Sequence, residues 1–324
     1  SKFMNEFKIG VTFPSMLMKD AERIKSSLEN ALLSAGCDML FFCADGEVQK
    51  QADQISQMIS ESCNAIVVWP VGDGVAQALS QAKDNDIGVL LFLDKISDCS
   101  SADFFVGIDY RALGALQAEY IRDELDLDNA AGLNRKVAIC GGILGNDKCL
   151  EALEGAMEVL QQYIDSCAIE QTEPAYVSQI SPDAGRELAI SRGWGQELSA
   201  VLGLTEGVPA GVVAALCEKG CDAGNIPIVT GAGDDMETLA NVRYGLQSMT
   251  VPCGYELLAA EAASAVAMLL NGEAPEGNTV ISDDGGYEIA GFVGCGEACD
   301  VNTDFALTVS YTHLRAHETG AYLV

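Results

Sequence analysis

Carboxylates recur in this chain directly behind short apolar runs. Ala65–Trp69 (AIVVW) leads into Pro70-Val71-Gly72-Asp73-Gly74, Val89–Leu93 (VLLFL) into Asp94-Lys95, and Phe104–Ile108 (FFVGI) into Asp109-Tyr110. Further along, Ala200–Leu204 (AVLGL) precedes Thr205-Glu206-Gly207, and Ile226–Thr230 (IPIVT) precedes Gly231-Ala232-Gly233-Asp234-Asp235. A carboxylate accepts paired hydrogen bonds from vicinal hydroxyls, so a rim of such groups suits a polyol or a sugar. Phe13 or Trp69, at the ends of their runs, would offer an apolar face to the C–H groups of a sugar ring. The same residue types fill ordinary strand-to-helix loops and cap helices, so any one of them read singly is as readily structural.

Other chemistries find little support. No G-x-G-x-x-G follows an apolar run and there is no P-loop. Both histidines, His313 and His317, lie in the terminal stretch Val309–Val324 (VSYTHLRAHETGAYLV). Their H-x3-H spacing could suit zinc, but the stretch departs from the acidic, Ala/Gly-rich composition before it. The string VSYTHLRAHET resembles the translation of a transposon adaptor used in sequencing libraries. Residues 309–324 are therefore read as a non-native tail, which leaves no histidine as a general base. Cys217/Cys221 and Cys295/Cys299 are the other metal-like spacings, and no close partner motif accompanies either. Cys43, Cys63 and Cys140 sit in or beside apolar runs and read as buried thiols. No enzyme activity, metal or cofactor is expected, and at most one or two disulfides.

The elements that must position the strand-end residues follow from periodicity. Phe7–Phe13, Met39–Cys43, Ala65–Trp69, Val89–Leu93 and Phe104–Ile108 are nearly all apolar, as parallel strands buried on both faces are. Between the first two, Ile24, Leu28, Ala31, Leu32 and Ala35 mark one face of a helix over Asp20–Gly36. Gln49–Ile59 and Val75–Ala82 repeat the pattern. It restarts with strand Lys136–Cys140, a helix with Leu150, Leu153, Met157 and Leu160 on one face, strand Ala200–Leu204, helix Pro209–Cys217 and strand Ile226–Thr230. The fold class is α/β: two doubly wound parallel-sheet lobes. In such sheets ligands lie beyond the carboxyl ends of the strands, which is where the carboxylates stand. Two lobes facing each other would gather them around one cleft.

Composition narrows the class further. The 324 residues are 49% hydrophobic and 20% charged, with 48 acidic against 18 basic side chains and a formal charge of −30. Such a surface repels nucleic-acid backbones and anionic membranes. No run approaches the roughly 20 apolar residues of a membrane span, and SKFMNEFKIG has no signal-type apolar region.

The runs VQKQADQISQMI (Val48–Ile59) with AIVVWP, LSQAKDNDIGVLLFLDKI (Leu79–Ile96), VGIDYRALGALQAEYI (Val106–Ile121), AVLGLTEGVPAGVVAALCEKG (Ala200–Gly220) and IPIVTGAGDDMETLANVRYGLQSMTV (Ile226–Val251) resemble the type I periplasmic sugar-binding proteins. These are the solute receptors of ABC importers, here of the ribose, galactose, xylose and multiple-sugar group. The resemblance spans about residues 7–305. It implies a three-crossover hinge near Ile108–Asp109, Gln247–Val251 and Pro275–Val280. Residues 1–108 plus 250–277 would form lobe one, and 109–249 plus 278–308 lobe two. It also implies a monomeric receptor, exported and membrane-anchored, that binds a monosaccharide or polyol and meets ABC permease subunits. The family's Asp-Arg pair appears as Asp94-Lys95, its crossover Asp as Asp109, its Asn-Asp-Gly as Thr205-Glu206-Gly207, and its next Asp as Asp234 with Asp235 as a rival. An expected Arg-Trp pair falls at Asp20-Ala21, where Asp20 could instead cap its helix, and an expected basic residue falls near Cys253. The resemblance also suggests a shortened helix around Trp194. The full candidate set is Asp94, Lys95, Asp109, Glu206, Asp234, Asp235, Asp20, Phe13, Trp69, Asp73, Lys148 and Cys253. The competing reading is the effector-binding core of a repressor-class regulator without its DNA-binding domain, or a sugar sensor for a signalling partner.

Overall fold

A computed structural model of the chain describes residues 5–281 and 288–303. The chain divides into two compact units, and among the described residues it passes between them three times, after Ile108, Gly254 and Gly294.

The first unit begins with β1 (Phe7–Phe13), α1 (Ala21–Ser34), β2 (Cys37–Cys43), α2 (Val48–Ser60), β3 (Ala65–Val68), α3 (Ala76–Asp84), β4 (Gly88–Phe92) and β5 (Phe104–Ile108). The second contains α4 (Tyr110–Glu124), β6 (Val137–Ile139), α5 (Asp147–Asp165), α6 (Pro182–Ser191), β7 (Ala200–Leu202), α7 (Val208–Glu218), β8 (Ile228–Ala232), α8 (Met236–Arg243) and β9 (Met249–Val251). The chain then returns for α9 (Tyr255–Leu270), β10 (Asn278–Ile281) and β11 (Glu288–Gly294), and ends in the second unit with β12 (Cys299–Asp300).

The first sheet has the order β10-β11-β5-β4-β3-β1-β2 and the second β12-β9-β8-β7-β6. The described pairings are parallel except those of β10 with β11 and β12 with β9. Successive residues of a strand feed opposite faces. Leu90 and Phe92 pack with α1 and α9, whereas Val89 and Leu91 pack with α2 and α3. The second sheet is covered by α4 and α5 on one side and α6 and α7 on the other. This doubly covered, mainly parallel arrangement is the one the apolar runs predict.

Two boundaries differ from the sequence expectation. Met249–Val251 pairs in parallel with β8 (Thr230↔Met249), so residues 250–254 stay with the second unit. Residues 278–281 and 288–294 belong to the first unit, because β11 lies parallel to β5 (Phe292↔Val106). A weak apolar pattern such as EIAGFVG carries no sign of which sheet edge will accept it. Trp194 lies beyond the end of α6 and packs into the core of the second unit. The tail 309–324 lies outside the described residues.

Candidate functional site

In the first unit the site is built where β3 and β4 stop. β4 ends at Phe92 because Leu93 adopts φ +67°, and the Asp94 amide turns back to donate to the Phe92 carbonyl at 2.8 Å. That is a three-residue turn of the strained positive-φ kind, which costs a leucine on the order of 1–3 kcal/mol. It lifts Asp94 and Lys95 out of the ladder. The Trp69 indole Nε1–H, one residue past β3, donates to Asp94 Oδ2 at 2.8 Å. Lys95 Nζ sits 5.8 Å from the centroid of the Phe105 ring. The ends of two neighbouring strands thus supply an indole hydrogen-bonded to a carboxylate, while the Lys95 ammonium lies by Phe105, which packs on the α2–α3 side of the sheet and not on the α1–α9 side with Trp69. A carboxylate oriented in this way can accept hydrogen bonds from vicinal hydroxyls.

Phe13 is corrected from a ligand-facing plate to core. It is fully buried, edge-on to Trp69 and to Phe41 at 5.1 Å, and near Phe92 at 6.5 Å. A ring enclosed on several sides serves to seat Trp69, which itself keeps only 8% exposure. Asp73 is exposed and accepts from the Ser97 amide (2.8 Å) and the Ser97 hydroxyl (2.9 Å), so it braces the loop behind Asp94-Lys95. Asp20 heads α1 at φ 62°, but its side chain makes no cap hydrogen bond there. The helix-capping role open to it in sequence is not the one it fills.

The second unit repeats the strand-end device. β7 ends at Leu202, Leu204 adopts φ +62°, and the Thr205 amide donates back to the Gly203 carbonyl at 2.7 Å. A similar turn follows at Gly207 (φ 75°, ψ −52°), where the Val208 amide donates to the Glu206 carbonyl at 2.8 Å. Glu206 is thereby held between two tight turns. Its Oε1 accepts from the Cys253 thiol at 3.2 Å, which brings together two candidates far apart in sequence. The backbone at Gly233 (φ +91°) comes so close that a Cβ there would lie 3.0 Å from the Glu206 side chain, so glycine meets both the conformation and the space. Asp234 and Asp235 come next. Asp235 accepts from the Thr238 hydroxyl at 2.6 Å and is tied to the first turn of α8. Asp109 caps α4, accepting from the Ala112 amide at 2.9 Å, so it carries a structural role at the end of β5. Lys148 is exposed near the start of α5, with Nζ 5.8 Å from the Tyr110 ring centroid.

The acidic character of this rim is felt by its thiols. Burial, and secondarily the negative charge of Asp109, push the Cys295 thiol up to about 11. Cys299 is raised by burial and then by Asp234, Asp300 and Glu297. Neutral thiols beside carboxylates act as weak hydrogen-bond donors. Among the described residues, no group of three or more His, Cys, Asp or Glu is placed to hold a metal ion.

Sequence reasoning missed the groups that hold these strand ends. Gln51 and Gln117 are both completely buried, on α2 and α4. Gln51 accepts from the Val71 amide (2.8 Å) and donates to the Trp69 carbonyl (2.9 Å). Gln117 accepts from the Leu204 amide (2.9 Å) and donates to the Leu204 carbonyl (3.3 Å). The available signal was positional. Gln51 and Gln54 fall at i and i+3 of the stripe completed by Ile55 and Met58, where a solvent-facing glutamine would not be.

A family of known proteins shares this architecture and order. Residues 11–274 match the periplasmic binding protein domain, and the chain belongs to that family. Among curated relatives, the D-xylose-binding periplasmic protein of Escherichia coli is 25% identical over 284 residues, covering 86% of this chain and 82% of its own. The multiple sugar-binding periplasmic protein SbpA of Azospirillum brasilense is 27% identical over 257 residues, covering 75% and 71%. An ABC transporter solute-binding protein from Clostridium phytofermentans, crystallised with β-D-glucose, superposes with a TM-score of 0.74 at 25% identity and 98% coverage of both chains.

Proposed function

We propose that this chain is an extracytoplasmic receptor for a monosaccharide or similar polyol, which it delivers to the permease of an ABC importer. Trp69, Asp94 and Lys95 in the first unit, and Asp109, Glu206, Asp234 and Cys253 in the second, are the proposed contacts. The observation that carries the reading is the indole-to-carboxylate bond at the ends of β3 and β4. It orients a carboxylate, a group that can accept hydrogen bonds from a pair of sugar hydroxyls. Family membership supports the transport role, as do relatives named for xylose and for multiple sugars. No helix among the described residues is long and apolar enough to cross a membrane, so the docking partner and any anchoring lipid belong to the proposal. A binding protein of this kind needs no catalytic group, and no enzyme activity is assigned to it.

The test is a thermal-shift screen with D-xylose, D-glucose, D-ribose, D-allose and myo-inositol. A sugar present at 100 times its dissociation constant stabilises the folded state by about 2.7 kcal/mol, a shift of several degrees. Failure of every sugar to raise the melting temperature, followed by failure in calorimetry at millimolar concentration, would overturn the assignment.

A further inference from the structure

Two glutamines in unrelated helices meet the backbone in the same way. Gln117 Oε1 accepts from the Leu204 amide and also from the Thr230 hydroxyl (2.9 Å), while its Nε2 donates to the Leu204 carbonyl. Thr230 Oγ1 in turn accepts from the Gly203 amide at 3.2 Å. In the first unit, Gln51 Oε1 accepts from the Val71 amide, and its Nε2 donates to the Trp69 carbonyl and to Thr12 Oγ1 (3.3 Å). Each carboxamide is fully buried, each grips a strand-end peptide with two hydrogen bonds, and each is joined by a threonine from a neighbouring strand.

Packing alone does not call for a glutamine at either position. An apolar side chain of the same length fills such a site without a carboxamide to desolvate. The demand comes from the strand ends. At Leu204 the positive φ swings the amide and carbonyl out of the sheet ladder, and a buried peptide group needs a partner. Gln117 supplies it on both sides of the turn, so the two residues after Leu204, Thr205 and Glu206, leave the strand in one direction only. Gln51 does the same for the peptide groups of Trp69 and Val71. It thereby places the indole that donates to Asp94.

We infer that Gln51 and Gln117 are positioning residues for ligand binding, touching no ligand themselves and setting the aim of Trp69–Asp94 and of Thr205–Glu206. The inference rests on the sugar-receptor reading only for the identity of the ligand. The test compares Gln117→Met with Leu160→Ala, a cavity variant in the core of the same unit. Two measurements are made on the intact chain: D-xylose and D-glucose affinity by calorimetry, and backbone amide exchange without sugar. Gln117→Met should weaken binding at least tenfold. Leu160→Ala should leave affinity within twofold of wild type even where its melting temperature is the lower of the two. Exchange at the Leu204 and Thr205 amides should quicken at least tenfold in Gln117→Met, with Ala200–Leu202 unchanged. Gln117→Glu, held as the neutral acid in this buried place, keeps an acceptor oxygen and offers an O–H donor in place of the N–H, so it should fall between wild type and Gln117→Met, and it carries the test if the methionine variant does not fold. An affinity loss that merely tracks melting temperature across the variants would overturn the inference. So would unchanged exchange at Leu204. If the wild-type chain binds neither sugar, the ligand assignment fails, and the exchange measurement alone decides whether the glutamine holds the turn.

Discussion

Replacing Asp94 by Ala, alone and together with Trp69→Phe, examines the strand-end site most directly. Asp94 Oδ2 accepts the indole N–H at 2.8 Å. The alanine variant removes an ionised acceptor that ligand hydroxyls would use, a loss of about 1.5–3 kcal/mol, or roughly 10- to 150-fold in affinity. Without sugar, the indole N–H loses its acceptor at a residue 8% exposed, a cost of about 1 kcal/mol and a fall on the order of 2 °C in melting temperature. Trp69→Phe keeps an aromatic ring against Phe13 but removes the indole N–H and part of the ring system, so Asp94 loses one of the groups that orient it. That single change should cost about 0.5–1.5 kcal/mol of binding, roughly 2- to 12-fold. If Trp69 acts through Asp94, the double variant should bind no more than about twofold worse than Asp94→Ala alone, because interacting residues are not additive. Isothermal calorimetry with the sugar that stabilises the wild-type chain reads all three. Full additivity would show that the Trp69 ring contacts the ligand independently, and an unaffected Asp94→Ala would remove the carboxylate from the site.

Two further outcomes rest on separate features. Burial pushes the Cys140 thiol up to about 12 and the Cys63 thiol up to about 11. Thiolate is the reactive form, so iodoacetamide at pH 8 should label exposed Cys167 first and leave Cys140 and Cys63 unmodified in the folded chain, as peptide mass spectrometry would read. Early labelling of Cys140 would contradict its placement. At Gly114, a Cβ would stand 1.8 Å from the Ala152 carbonyl oxygen, where α4 and α5 cross. Gly114→Ala must therefore spread the two helices. The expected loss is about 1–3 kcal/mol in urea denaturation, despite alanine's better helix propensity, and an unchanged midpoint would refute the close crossing.

How much of this was legible in the sequence depends on which physical signal a feature leaves. Strands buried on both faces leave an unmistakable one: AIVVW and FFVGI are apolar throughout, and FKIGVTF is apolar but for Lys8 and Thr12, because α1 and α9 cover one side and α2 and α3 the other. The helix stripes were equally plain. The edge strands were not, because β10 and β11 have one neighbour or a partly exposed face and so carry no continuous apolar run. Only the sheet they join determines the unit that claims them. Phe13 misled for a related reason. A terminal strand aromatic reads the same whether it faces a ligand or supports the aromatic that does.

The site itself was legible as residue types and obscure as geometry. Carboxylates after strands announced themselves, yet their aim comes from leucines at positive φ, a conformation that leucine's Cβ disfavours and no sequence pattern advertises. Nothing in VLLFLDK or AVLGLTE distinguishes Leu93 or Leu204 from an ordinary strand residue. At Leu204, what makes the turn tenable lies elsewhere in the chain. Leu204 depends on Gln117, 87 residues earlier, and the Trp69 peptide on Gln51, 18 residues earlier. A strained turn persists only where its surroundings over-determine it, and here the surroundings are a buried carboxamide and a threonine hydroxyl. On the inference drawn above, the proposed binding rim of each unit is set by its interior: the strand ends point where the glutamines beneath them hold the peptide planes.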